Sequence, residues 1–272
     1  MRLTKCDILI TERLLIQKRD RTMRLDKYLA DMGIGTRSEI KKQIKSGNVT
    51  VSGEVIRDPG YKVGAGSDIA INGESIMYEE YVYYMLNKPA GVISASEDPH
   101  EETVVDLIDE RKRRDLFPAG RLDRDTEGLM LITNNGDLAH RMLSPKHHVD
   151  KTYYAVIMGE VTEDDVRAFA GGLVLSDGLE CMPADLEILS RVTDDLYAAI
   201  ENESLENSVM TEVNITIREG KFHQIKRMFS SIGCEVMYLK RLSMGPLELD
   251  ETLLPGEYRR LTEEEVDSLL KL

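Results

Sequence analysis

Apolar residues recur every three or four positions between Leu25 and Ile44 and every second position from Val49, so the chain must pass from helices to strands within a short stretch. Leu25, Tyr28, Leu29 and Met32 share one helical face, and Gly33-Ile34-Gly35 ends that helix. Thr36 or Ser38 can cap a second helix, with Ile40 and Ile44 as its apolar stripe and Gly47 just past its end. Val49–Ile56 reads as a hairpin turning at Ser52-Gly53, and Asp68–Ile71 as a further short strand ending at Asn72-Gly73. These elements predict a compact module over residues 23–73. Residues 1–22 show no clear period and read as an unstructured or spurious extension, with Met23 an alternative start; residues 74–81 read as a linker.

Over residues 82–272 strands outnumber helices. Strands are expected at Val82–Asn87, Leu129–Thr133, Thr152–Met158, Ala184–Leu189, Glu212–Ile217 and Val236–Leu239. Helices are expected at Gly136–Leu143, Glu163–Ala170, Lys221–Ile232 and Glu263–Leu270. Many strands are separated only by turns, which predicts an α+β body on a mostly antiparallel sheet. Cys6, Cys181 and Cys234 lie far apart with no metal-ligand spacing, which excludes a disulfide framework, speaks against zinc and fits a reducing cytoplasm. No apolar run approaches the ~20 residues of a membrane span, and no signal peptide is visible. No glycine-rich phosphate loop follows a strand, so neither a nucleotide cofactor nor a metal is expected.

The formal net charge is −14, but it is unevenly spread. Residues 1–62 carry 14 Lys/Arg against 8 Asp/Glu, and the rest of the chain is strongly acidic. In the second helix Arg37, Lys41 and Lys45 recur at i, i+4 and i+8 with Lys42 beside them, and Glu39 is the only acid. Such a face is an electrostatic footprint for a polyanion, which a local patch can hold whatever the whole-chain charge. Helix–Gly–helix followed by a Val-x-Val-x-Gly-x-x-Ile hairpin resembles the alpha-L RNA-binding module first known from ribosomal protein S-four. The resemblance implies that the second helix contacts phosphates.

Chemistry concentrates in three stretches. Phe117–Leu129 brackets Arg121, Asp123, Arg124, Asp125 and Glu127 between Gly120 and Gly128, just before a buried strand. A loop on a rigid scaffold is where catalytic groups are commonly displayed, although Asp125 and Thr126 alone could simply stabilise a turn. Lys151-Thr152-Tyr153-Tyr154 opens a strand whose alternation sends the two tyrosines to opposite faces. In Arg218–Met228 and beyond, Phe222, Ile225, Phe229 and Ile232 are expected to form a buried stripe, while His223, Lys226, Arg227 and Ser230 form a polar face able to fix a carboxylate or phosphate.

Taken in order, Lys88-Pro89-Ala90-Gly91, Gly-Arg-Leu-Asp-x-x-Thr-x-Gly-Leu at 120–129, Lys-x-Tyr at 151–153 and His-Gln-x-Lys-Arg-Met-Phe at 223–229 resemble the pseudouridine synthases. Within them the chain is most similar to the small-subunit ribosomal RNA branch, the RsuA family. The features shared are Ser144-Pro145-Lys146-His147-His148, the His-Gln-Ile-Lys form of the last motif, and the ending Pro255–Glu265. The resemblance implies isomerisation of uridine to pseudouridine in 16S ribosomal RNA, at position 516, without a cofactor. It implies Asp123 as nucleophile, toward either ribose or base, with Lys226 as the cation that keeps it charged. Tyr153 would stack on the target base, which must first be everted from the RNA. Arg121 and Arg124 could hold the aspartate loop or a phosphate, and Arg227 joins them as an RNA-binding candidate. The partner implied is 16S RNA or the assembling small subunit, met by a monomer. The alternatives are a large-subunit synthase, against which the His-Gln-Ile-Lys form speaks, and a non-catalytic assembly factor.

Overall fold

The computed structural model describes residues 22–64, 66–109, 115–193 and 209–272. The extension expected over residues 1–22 therefore lies outside the described residues, Thr22 excepted. Two compact units part between Tyr81 and Val82, and the second omits residues 109–116.

The first unit begins with β1 (Thr22–Arg24), α1 (Leu25–Asp31) and α2 (Arg37–Ser46), followed by β2 (Val49–Val51), β3 (Glu54–Val55), β4 (Lys62–Gly64), β5 (Ile69–Ile71) and β6 (Glu74–Ile76). Strands β3-β2-β5-β6 form one antiparallel sheet, and β1 pairs with β4. Leu25, Tyr28, Leu29, Ile40, Ile44 and Val49 close the core between helices and sheet. Each fully buried aliphatic side chain there contributes roughly 1.5–3 kcal/mol. Thr36 and Glu39 cap α2 reciprocally: the Glu39 carboxylate accepts from the Thr36 N–H at 2.8 Å, and the Thr36 hydroxyl accepts from the Glu39 N–H at 3.3 Å. The one acid of α2 is thus spent at its first turn.

Glu74–Ile76, read from sequence as the head of a linker, is instead the strand β6. Asn72 and Gly73 both adopt left-handed backbone (φ 51° and 87°), the geometry of a tight two-residue hairpin, so the chain doubles back onto β5. The Tyr28 hydroxyl donates to the Ile76 carbonyl at 2.9 Å and fastens β6 to α1.

The second unit runs β7 (Tyr83–Lys88), β8 (Phe117–Pro118), β9 (Glu127–Thr133), α3 (Gly136–Leu143), β10 (Lys151–Met158), α4 (Glu163–Gly171), β11 (Asp185–Thr193), β12 (Val209–Ile217), α5 (Gln224–Ser231), β13 (Glu235–Met244), β14 (Leu247–Glu248), β15 (Tyr258–Arg260) and α6 (Glu263–Leu270). Among the described residues one sheet carries all of these strands in the order β11-β12-β10-β13-β9-β7-β15, with β8 beside β9 and β14 beside β13. Every pairing is antiparallel except that of β13 with β9. Met85, Leu129 and Leu131 of the central strands pack with Leu138 and Met142 of α3 and Leu269 of α6. Phe169 of α4 and Phe229 of α5 meet with ring centroids 5.1 Å apart.

The helix expected over Lys221–Ile232 begins later, at Gln224, because His223 turns into left-handed backbone at φ 47°. That turn overturns the expected stripe. Phe222 is 75% exposed, Ile232 falls past the helix end, and Gln224, Ile225, Met228 and Phe229 make the buried face.

The parallel join of β9 and β13 sets Gly128 opposite Arg241. Gly128 sits at φ 97°, and a Cβ there would lie 2.3 Å from the Arg241 carbonyl oxygen. Both the strain and the clash fall on backbone. Gly128→Ala should lower unfolding free energy by more than ~3 kcal/mol in urea titration; an alanine variant as stable as the parent would show that the join yields.

Candidate active site

The loop between β8 and β9 carries Asp123, and a buried lysine holds it from beneath. Lys88, at the end of β7, is fully buried and its ammonium donates to the carbonyl oxygens of Pro89 (2.9 Å), Arg124 (3.2 Å) and Thr126 (2.8 Å). Three acceptors match its three N–H groups. Burial pushes the Lys88 ammonium down to about 8. The neighbouring loop adds further ties. The Ser94 hydroxyl donates to the Leu122 carbonyl (2.8 Å) and accepts from the Leu122 N–H (3.0 Å). The Gly91 N–H donates to the Arg124 carbonyl at 2.8 Å. Arg124 itself reaches back to the Gly91 carbonyl at 3.0 Å and pairs with Glu101 at 3.1 Å. Of its two expected uses, holding the loop is the one this arrangement displays.

Facing that loop is the first turn of α5. The Lys226 ammonium lies 3.5 Å from Asp123 Oδ2, as the sequence led us to expect, but its hydrogen bonds go to Asp125, at 2.6 and 2.8 Å. Asp125 is therefore more than a turn residue; it aims Lys226. The hydrogen bond from Lys226 holds the Asp125 carboxyl below the usual carboxylate range. His223 Nε2 stands 3.5 Å from Asp123 Oδ1, on the other side of the carboxylate. Tyr153 reaches the site from β10 and is 7% exposed, while Tyr154 packs edge-on against Tyr238 on the opposite face.

Asp123, Tyr153 and Lys226 line a small solvent-open pocket, walled also by Arg121, Ile217 and Leu239. A carboxylate, an ammonium beside it and an aromatic wall suit covalent attack on a planar substrate. Arg121 is exposed at the rim and makes no ion pair among the described residues. Arg227 points elsewhere, to an ion pair with Asp177. In the first unit Arg37, Lys41, Lys42 and Lys45 are all exposed on α2.

Sequence reasoning placed Asp123, Tyr153 and Lys226 in one site and missed the supporting roles of Lys88, Asp125 and His223. All three lay within motifs already singled out, Lys88 at the head of Lys88-Pro89-Ala90-Gly91. No sequence signal shows that a lysine at a strand end will point inward.

Removing the Lys88 ammonium strands three carbonyl oxygens, so Lys88→Met should cost about 2–3 kcal/mol at pH 7. Its folded pKa is depressed, so between about pH 8 and the ordinary value near 10 the unfolded chain binds more protons. The parent therefore gains stability as pH rises through that window, and the penalty of Lys88→Met grows. Urea titrations at pH 7 and 9.5 check this; equal penalties would contradict it.

Comparison with known proteins agrees with this geometry. Residues 82–231 match the RNA pseudouridylate synthase family, and residues 23–69 match the S4 domain. The chain is 45% identical to a Bacillus subtilis protein described as an uncharacterized RNA pseudouridine synthase, YtzG, covering 91% of this chain and 98% of that one. It is 43% identical to ribosomal small subunit pseudouridine synthase A of Vibrio parahaemolyticus (91% and 99% covered) and 38% identical to that of Escherichia coli (91% and 100%). A crystal structure of a pseudouridylate synthase superposes with a TM-score of 0.59 at 37% identity, covering 91% and 99% of the two chains. A matched family model across more than half the chain, an S4 domain ahead of it and relatives of nearly equal length make this chain a member of the RNA pseudouridine synthases.

Proposed function

We propose that this synthase isomerises a uridine of small-subunit ribosomal RNA, with Asp123 as its nucleophile. The observation that carries the reading is a carboxylate opening onto a pocket that Lys226 and Tyr153 also line. The uracil N1–C1′ bond breaks, the base turns, C5 bonds to C1′, and the proton lost from C5 is matched by one gained at N1. Nothing is consumed, so no cofactor is required. Lys226, aimed by Asp125, supplies positive charge beside the nucleophile, and Tyr153 offers its ring to the base.

Relatives named for the small ribosomal subunit, similar over almost their whole length, support the target class. So does the His223-Gln224-Ile225-Lys226 form of the last motif. The S4 domain's exposed Arg37, Lys41, Lys42 and Lys45 supply phosphate contacts whose binding energy offsets base eversion. Arg121 can add another, since no carboxylate among the described residues competes for it. Arg124 and Arg227 would have to exchange Glu101 and Asp177 for RNA. No described helix is long and apolar enough to cross a membrane, in keeping with an enzyme that meets its ribosomal substrate in the cytoplasm.

Asp123→Asn should abolish pseudouridine formation while leaving RNA binding within about threefold, because the change removes one charge and no volume. Mapping pseudouridine across both ribosomal RNAs, in cells with and without this gene, should show one small-subunit site lost, at position 516 on the family resemblance. A site lost only from the large subunit overturns the target, and an active Asp123→Asn overturns the mechanism. Reversing the charge of Arg37, Lys41, Lys42 and Lys45 together should weaken RNA binding about tenfold or more at 0.1 M salt and flatten its salt dependence. Unchanged binding would remove this face from the account.

A further inference from the structure

Phe222 is 75% exposed, the most exposed aromatic side chain among the described residues. It stands at the mouth of the aspartate pocket. A second hollow continues from that pocket, sharing Arg121, Asp123 and His223, and is walled by Phe222 on one side and by Ile93 and Ala95 on another. The Phe222 ring lies flat on that of His223, with centroids 3.8 Å apart and planes 17° from parallel. His223 in turn touches the charge of Asp123.

The chain to either side of these rings is tied down. The buried Glu219 carboxylate accepts from the Met182 N–H at 2.9 Å and from Gln224 Nε2 at 2.7 Å, and it pairs with the Lys221 ammonium at 3.0 Å. Gln224 Oε1 accepts from the Lys221 N–H at 3.0 Å. A phenylalanine on a slack loop could fold inward and bury its ring; this one is held outward. The left-handed backbone of His223 is a further local cost accepted at the same point.

On the reading that this pocket takes an everted uridine, we infer that the Phe222–His223 ring pair is a stacking platform for a second nucleobase, the neighbour of that uridine in the RNA strand. Eversion strips the adjacent base of one stacking partner. The strand entering the pocket must carry that base across its rim, where an exposed aromatic face can replace the lost partner. Stacking on a ring tolerates any base, since all present a π-face. The apolar wall of Ile93 and Ala95 suits the flat sides of a base, and Arg121 is free at the same rim for the intervening phosphate.

The test uses the full-length chain and a small-subunit RNA fragment containing the target uridine, with 2-aminopurine placed in turn on its 5′ and 3′ sides. Binding to the parent should quench one of the two fluorophores by stacking. Phe222→Ala should lose that quenching and raise KM about tenfold while kcat changes less than about twofold, and Phe222→Trp should restore both. Because Phe222 is exposed, the alanine variant should unfold as the parent does. Parent turnover with quenching and KM indifferent to Phe222→Ala overturns the platform alone. A parent that forms no pseudouridine in this RNA overturns the reading of the pocket and the platform with it.

Discussion

A cation that water cannot reach holds the loop carrying Asp123 in shape. Lys88 spends all three of its N–H groups on backbone carbonyls, two of them on the segment that carries Asp123 and Asp125. An isolated buried ammonium would be costly, but one whose donors are fully matched becomes a rigid fastening. The position of Asp123 relative to α5 follows from it, since the other ties, through Ser94 and Gly91, come from the loop that follows Lys88. A carboxylate set this way is already in place for whatever enters the pocket.

The electrostatics work on two scales. Overall the chain repels RNA, with a net charge of −14. Close to the pocket the balance is different: Lys226 sits between Asp123 and Asp125, and Arg121 and Lys221 line the same pocket. Screening confines the acidic field to within ~8–10 Å of its sources, so an RNA strand responds mainly to what lies directly beneath it. An acidic body that carries local cationic patches on α2 and beside the pocket penalises non-specific adhesion and favours poses that meet those patches.

Much of this was legible in the sequence because it follows from periodicity and turn chemistry. The ends of α3 and α6 are legible to the residue, and the central strands to within a few positions, because caps and short apolar runs mark them locally. The S4-type helices were legible for the same reason. What escaped was set by tertiary geometry. The parallel join of β9 to β13 links segments more than a hundred residues apart, and no local pattern encodes it. Lys226 pairs with Asp123 at 3.5 Å, the partner the family resemblance implies, while its hydrogen bonds go to Asp125, two residues along the same loop, which no motif indicates. A choice between carboxylates that close depends on the path of the backbone.

The misreading of Phe222 has a different origin. Helical spacing from Ile225 and Phe229 puts residue 222 on the buried face, and an aromatic there is ordinarily core. The rule fails because the helix does not extend that far: His223 leaves helical backbone, and the step turns Phe222 by a large angle into solvent. Local pattern and global fold usually agree in a natural sequence, and a disagreement that exposes an aromatic ring demands compensation. Here the disagreement sits on the rim of the pocket holding Asp123, and the buried Glu219–Gln224 pair enforces it. Inside the protein the Phe222 ring stacks on His223 and leaves most of its surface to solvent, so the reason for holding it outward has to be sought in what the ring meets from outside.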